Sequence, residues 1–247
     1  MGPAAEPRTP FFVRGSGLLD RVDYRLMETP EQKDSVYLLR HRAYLHGGII
    51  LPSESQRVSD RYDDAPNAWM FGIYVDGEFC SSVRINVLTS EQRMSYTTEL
   101  FGDVLHPRLD KGEVFIDPAR LAADPGKARR FPELPYVTLR LAYLACEYFN
   151  ADTGLALVRA EHQSFYRRVF LHEALGEPRS IPNVLTKVAL MASSFRTQRE
   201  KVLARFPIMR SSAFERRMLF ERGGERHPAS ADQRVSPFEH ASIVPNS

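Results

Sequence analysis

A mixed α/β fold, one sheet with helices on both faces, is predicted by three features of this 247-residue sequence. Segments of strand character alternate with segments of helical character; two apolar runs flank the dipeptide Asp76-Gly77; and PYVTLRLAYLACEYFN, at 135–150, is apolar on nearly every side. The alternation calls for a layered α/β arrangement. The dipeptide calls for an antiparallel hairpin, because a type I′ turn needs positive φ at both central positions. A helix that is apolar all round must be covered by its neighbours.

Taken in order, DYRLM at 23–27 reads as a short strand. Thr29-Pro30-Glu31 then opens a helix, with Thr29 as its cap and Pro30 in its first turn. The helix runs to about Tyr44, where Gly47 and Gly48 stop it. WMFGIYV (69–75) and EFCSSVRINVL (78–88) form the hairpin, and a helical patch follows at 97–101. GEVFIDPARLAAD begins a strand near Glu113 that extends to about 121, and the buried helix at 135–150 comes next. The last body elements are a strand at 155–160, a helix over HQSFYRRVFLHEAL (162–175) and a strand at 184–192. Residues 1–20 and 223–247, rich in Gly, Pro, Ser or Ala, are expected to be mobile, leaving 21–222 as one domain with basic helices over 195–222.

Composition excludes several classes. Apolar content of 43% and charged content of 26% are those of a folded globular chain. No apolar run is long enough to span a bilayer and the N-terminus lacks a secretory core, so a cytoplasmic protein is expected. Cys80 and Cys146 stand far apart with no ligand spacing around them, and the pair His41 and His46 forms no metal pattern, so no metal is expected. A net charge of +2 does not suggest nucleic acid. It is unevenly spread: residues 195–226 hold eight arginines and one lysine against four glutamates. A solvated amphipathic helix explains that excess, and an acidic partner or an anionic membrane surface is the functional alternative.

The charges in SDRYDDAPNAWMFGIYVDGEFCSSVRINVL (59–88) pose the functional question. Asp60 and Asp63 precede one apolar run, and Arg84 lies inside the next, where a charge requires a partner. Four motifs resemble those of acyl-homoserine lactone (autoinducer) synthases and the related long-chain N-acyl amino acid synthases. Arg40-His-Arg-Ala-Tyr44 resembles their Arg-x-x-x-aromatic motif, and Asp60-Arg-Tyr-Asp63 their Asp-x-x-Asp. Ser82-Val83-Arg84 resembles their strand arginine. Asp117-Pro-Ala-Arg120 resembles their Glu-x-x-Arg, with aspartate in place of glutamate. HQSFYRRVFLHEALGEP and the LGEPR that ends it are closer to the N-acyl amino acid synthases. The resemblance covers about 24–192 and implies an acetyltransferase-like (GNAT-like) fold: a mostly antiparallel sheet whose central strands splay apart and bind substrate in the gap. KARRFPELPY lacks the Gly-rich turn that holds the pyrophosphate of coenzyme A, so the resemblance implies acyl carrier protein as donor, through a phosphopantetheine thioester, with no permanently bound cofactor.

The chemistry implied is acyl transfer to the amino group of an amino acid. Asp117 is the candidate general base, with Glu113 on the same face of an ideal strand and Glu161 as competitors. Arg120 or Arg84 suits the acceptor carboxylate. Arg40, Tyr44, Asp60, Asp63 and Glu161 complete the expected substrate site. A network of ion pairs holding the first helix and its loop to the sheet is the structural alternative for Arg40, Asp60, Asp63, Arg84, Asp117 and Arg120. Leu155, Leu157, Val158, Phe165, Tyr166 and Phe170 are placed to line an acyl slot, or to be plain core. Lys127, Arg129, Arg130, Arg167 and Arg168 would face the thioester mouth and steer an acidic carrier protein. The rival functions are a homoserine lactone synthase using S-adenosylmethionine and a non-catalytic acyl-binding domain.

Overall fold

The computed structural model describes residues 17–181 and 187–222. Its elements, in order, are β1 (Val22–Leu26), α1 (Pro30–His46), β2 (Ala68–Val75), β3 (Glu78–Leu88), α2 (Tyr96–Leu100), α3 (Gly102–Leu109), β4 (Phe115–Ala123), α4 (Pro125–Arg130), α5 (Leu134–Tyr148), β5 (Thr153–Arg159), α6 (Gln163–Phe170), β6 (Glu173–Ala174), β7 (Val188–Ser194), α7 (Phe195–Arg205) and α8 (Ala213–Phe220). Single 3₁₀ turns lie at Ala160–His162 and Pro207–Met209.

Local chemistry explains the first half. Thr29 accepts a hydrogen bond from the Gln32 N–H, while the Gln32 side chain returns one to the Thr29 N–H, closing a capping box at the start of α1. Asp76 and Gly77 take φ of 51° and 77°, the left-handed pair that a type I′ hairpin requires. α1 turns Val36, Leu39, Arg40 and Tyr44 inward, so its covered face carries a guanidinium as well as carbon.

The strands form one sheet in the order β1-β2-β3-β4-β5-β7-β6. All neighbours run antiparallel except β4 and β5, which are parallel and pair at only two positions, Phe115 with Thr153 and Ile116 with Gly154. Beyond Ile116, β4 stays with β3 while β5 stays with β7, so the sheet divides into two wings. The mixed, mostly antiparallel GNAT-like sheet with splayed central strands is thus the observed architecture. Helices α1, α2 and α3 cover one face over three smaller apolar clusters, and α5 to α8 cover the other over the main one. α5 is the buried helix that its composition requires, with Leu134, Val137, Leu141 and Leu144 fully covered. Cys80 and Cys146 are buried and unbridged.

Three expectations need correction. The helix expected to reach residue 175 stops at Phe170: Leu171 adopts φ 56°, and Glu173–Ala174 pairs with β7 instead. An open sheet edge offered hydrogen bonds that local helix propensity could not outweigh. Helix α3 was not anticipated, and Pro107 within it explains why. Packing also begins before residue 20, since Leu18 is 5% exposed and Leu19 lies against the main core. The rest of the expected arm, the tail from 223 and part of the expected last strand (184–186) lie outside the described residues.

Candidate active site

β4 carries the site because it is irregular where the sheet divides. It takes three steps, from Ala119 to Ala122, while β3 takes two, from Arg84 to Ser82, and the bulged residue Arg120 has φ 55°. A non-glycine residue in that region costs about 1–3 kcal/mol and persists only where its surroundings hold it. Here an ion pair does so: Arg120 Nε donates to Asp60 Oδ2 at 2.7 Å.

From Asp60 a chain of charges runs inward. Arg84 Nη1 donates to Asp60 Oδ1 at 2.5 Å and to Asp63 Oδ1 at 2.8 Å, and Arg40 Nη1 donates to both Asp63 oxygens at 2.9 and 2.8 Å. The loop is shaped for this, with the Asp60 N–H bonded to Asp63 Oδ2 and the Tyr62 N–H to Asp60 Oδ1. Side-chain exposure climbs along the chain: 0% for Arg40, 1% for Asp63, 0% for Arg84, 15% for Asp60 and 34% for Arg120. Burial works to raise the Asp60 carboxyl, but Arg84 and Arg120 together outweigh it and hold its pKa below the usual carboxylate value. Arg40, Asp63 and Arg84 are therefore internal props that dock α1 and its following loop on the sheet. Tyr44, one turn beyond Arg40, is buried, which raises its phenol, while the neighbouring Arg120, Arg40 and Arg84 pull the other way. Arg120 is the most exposed of the five, and its two terminal amino groups make no hydrogen bond among the described residues.

Asp117 lies on the same face of β4, opposite Asn86. Oδ1 accepts a 3.0 Å bond from the Thr97 hydroxyl of α2, whereas Oδ2 is buried with no partner. Burial raises its pKa, and bonds from Ser95 and Thr97 and the Arg84 charge offset only part of that. The competing carboxylates are elsewhere. Glu113 precedes β4 and is held by Arg108, with Nε at 3.0 Å and Nη2 at 2.5 Å, so the expected shared face with Asp117 does not exist. Glu161 sits on the exposed turn after β5, paired with Arg159 at 3.0 Å.

The opposite face of β4 is different in kind. Pro118 and Ile116, with Leu139, Tyr143 and Cys146 of α5 and Phe170 of α6, enclose a mostly apolar cavity of about 40 Å³ beneath the split. Tyr166 lines it as well, and Leu155 borders it while packing, like Leu157, with the cluster around Leu105 on the other face. Val158 packs beside it against Tyr166 and Met191, and Phe165 meets Tyr136 and Tyr166 edge-on at 5.2 and 5.4 Å. Leu157 leans to the α3 side, with the cluster around Leu105. Alternation along a strand sends Leu157 and Val158 to opposite faces, so both cannot line one slot. Of the residues expected there, only Leu155, Tyr166 and Phe170 border it; the rest of its lining, including the polar residues His172, Ser193, Gln198 and Arg199, escaped the sequence reading. A buried histidine in a segment read as helix carried no signal.

Because β4 and β5 are parallel, whatever follows each begins at the same edge of the sheet. α4 follows β4, and α6 follows β5 after one turn, which brings Lys127, Arg129 and Arg130 to the edge that also carries Arg167 and Arg168. Lys127 and Arg130 face Glu78, and Arg167 bonds Gln163 at 3.0 Å; Arg129 and Arg168 are exposed. Part of the basic C-terminal region is spent internally: Arg199 and Arg216 meet Glu147, and Arg196 meets Asp152. Among the described residues no helix is long and apolar enough to cross a membrane.

Comparison with known proteins follows the same geometry. The family model described as "N-acyl amino acid synthase FeeM" matches residues 35–194, more than half of the chain. Search of the curated proteins found no match. Among solved structures, the N-acyl amino acid synthase FeeM from uncultured soil microbes superposes with a TM-score of 0.59 at 15% identity, over 74% of this chain and 96% of that one. The CoA-dependent acyl-homoserine lactone synthase BjaI with MTA gives 0.55 at 14% identity, over 76% and 89%. TofI, in a ternary complex with an inhibitor and MTA, gives 0.53 at 18% identity, over 76% and 96%. At these identities the structures establish a shared fold.

Proposed function

The chain belongs to the N-acyl amino acid synthase FeeM family and is an N-acyltransferase; from that premise we propose that it moves a long-chain acyl group from acyl carrier protein to the amino group of an amino acid. The observation that carries this reading is the division of the sheet after Ile116, which leaves charge on one side of β4 and an apolar cavity on the other. A thioester entering the split can lay its chain on the apolar side and present its carbonyl to the bulged segment of β4.

An α-amino group has a pKa of roughly 7.7–8.0, so a sizeable fraction is neutral near that pH and the base need remove only the proton released on attack. Asp117 suits that task through an intervening water, because at 1% exposure its carboxylate does not meet an amine directly. Its unpaired Oδ2 and burial-raised pKa make it a better proton acceptor than a solvated aspartate. The oxygen of the tetrahedral intermediate needs backbone N–H donors, each worth about 3–4 kcal/mol in a comparable site, and the bulge of β4 frees such groups from the ladder. The free fork of Arg120 suits the acceptor carboxylate. The reactive thioester arrives with its carrier, so no resident cofactor is needed. The cationic edge formed by α4 and α6 fits an acidic carrier protein, and a cytoplasmic setting follows from that partner.

Mass spectrometry of lipid extracts from cells expressing the protein tests the reading. A new N-acyl amino acid, lost in Asp117→Asn while circular dichroism stays unchanged, is the expected result. An acyl-homoserine lactone, or no acylated amine at all, overturns it.

A further inference from the structure

We propose that the cavity beneath the β4/β5 split takes an acyl chain bearing a hydroxyl group part-way along its length, and that His172 and Gln198 recognise that hydroxyl. The inference builds on the acyltransferase reading and adds a class of donor to it.

The cavity is lined mostly by carbon, yet Oε1 of Gln198 on its wall is buried with no partner, and the two ring nitrogens of His172, which lie near the backbone carbonyls of Gly154, Leu155 and Phe170, make no hydrogen bond of good geometry to them. Buried polar atoms are nearly always paired, so a cluster of orphans on one cavity points to a group that enters it. His172 is 7% exposed and is gripped edge-on by Tyr166 and Phe170, at ring separations of 5.7 and 5.9 Å, which fixes its orientation. Gly154 keeps the approach open. A Cβ at that position would lie 3.7 Å from Cys146 Sγ and 4.0 Å from His172 Nε2, so the missing side chain leaves room beside the imidazole.

Chemistry selects the group. Burial lowers the His172 pKa to about 4, so the ring is neutral and offers one donor and one acceptor. Gln198 Oε1 adds a second acceptor. A hydroxyl donates to one and accepts from the imidazole N–H; a ketone can only accept, and a plain methylene leaves every orphan unpaired. A carboxylate would enter carbon-lined surroundings whose one cation, Arg199, is already engaged by Glu147 and Glu200. Position follows from the strand. Gly154 pairs with Ile116, four residues from the bulge at Arg120, about 13 Å at a strand rise of about 3.3 Å. The recognised hydroxyl is therefore several carbons from the thioester.

The test compares carrier-protein thioesters of one chain length, either unsubstituted, oxo-substituted or with the hydroxyl moved stepwise along the chain, by turnover. Equilibrium binding of the corresponding free acids is measured on the same protein. One mid-chain hydroxy isomer is expected to exceed the unsubstituted chain about tenfold, the oxo form falling between, from the net value of one or two hydrogen bonds. His172→Phe should bring that ratio close to one. Gln198→Leu, on a partly exposed helix position, should reduce it several-fold and serves if the first variant fails to fold. Equal use of all chains, or a preference that survives both substitutions, overturns the proposal while leaving the acyltransferase reading intact. Absence of turnover with every donor would instead remove that reading, and the binding series then decides: equal affinity of all the free acids overturns the hydroxyl site.

Discussion

The two faces of β4 bury polar groups in opposite ways. On the α1 side, Arg40, Asp63, Arg84, Asp60 and Arg120 satisfy one another in a chain that begins with no exposure and ends at the surface. On the α5 side, an imidazole is flanked by aromatic rings and has only backbone carbonyls near it, with no hydrogen bond of good geometry. A paired network sets position: each charge fixes the next, and the last, Arg120, is held in a strained backbone conformation. A poorly satisfied polar group beside a cavity sets no position by itself and leaves hydrogen-bonding capacity facing the space. Under the proposed function, the first face scaffolds the site and receives the acceptor, and the second receives the chain.

The comparison breaks most visibly at Asp117, which stands at the junction of the network and the split. Asp117→Asn should cost about 10²–10⁴ in kcat/KM, the usual value of a general base, with the fold retained because Asn still accepts the Thr97 hydroxyl. In the parent, kcat/KM should fall as pH is lowered through a carboxyl pKa raised above the ordinary aspartate value of 3.8, since only the ionised form accepts a proton. The raised pKa also means that ionised Asp117 opposes folding: its contribution is best below 3.8 and is lost as pH rises through the folded value, a loss that Asn abolishes.

Arg84→Met should destabilise the protein by about 3–5 kcal/mol in urea unfolding, because Asp63 stays buried with one fewer cation. A loss under 1 kcal/mol would mean that the network adds nothing beyond packing. On the other face, His172→Phe should change the pH dependence of stability instead. The native imidazole stays neutral down to about pH 4 while the unfolded one binds a proton near 6.5, so the parent loses stability as pH falls between those values and the variant does not. The difference should approach about 3 kcal/mol at pH 4. Tyr166 and Cys146, which face the ring, are both raised by burial and do not titrate there.

Smaller effects sharpen the picture. Arg120→Gln should raise KM for the amino-acid acceptor about tenfold to a hundredfold and change stability by less than about 1 kcal/mol, as befits a partly exposed pair. An unchanged KM would move the acceptor carboxylate elsewhere. Raising salt should slow association with carrier protein several-fold, and Arg129→Glu with Arg168→Glu should remove that salt dependence.

Much of this was legible in the chain. Thr29-Pro30 and Asp76-Gly77 specify their cap and turn through bonds within a few residues, and their elements appear where expected. The motif residues Arg40, Asp60, Asp63, Arg84 and Arg120 were readable as one constellation, and the structural alternative is the one seen: an ion-pair network, buried at one end and partly exposed at Arg120. Glu113 was misplaced because the strand starts two residues later, at Phe115, and Arg108 captures the carboxylate. His172 was invisible because its environment is supplied by β5, α6 and α7, none of them predictable as its neighbour.

The amino-acid sequence alone determined the alternation of elements, the hairpin, the buried helix and the identities of the charged residues, since these depend on side-chain period and on contacts a few residues apart. Tertiary structure decided where β4 and β5 part, that β4 bulges at Arg120, and which face each charge occupies. A strand does not encode its partner's departure; the split arises because β3 and β7 draw β4 and β5 to opposite wings, and only that competition opens a cavity on one side and strings a chain of ion pairs along the other.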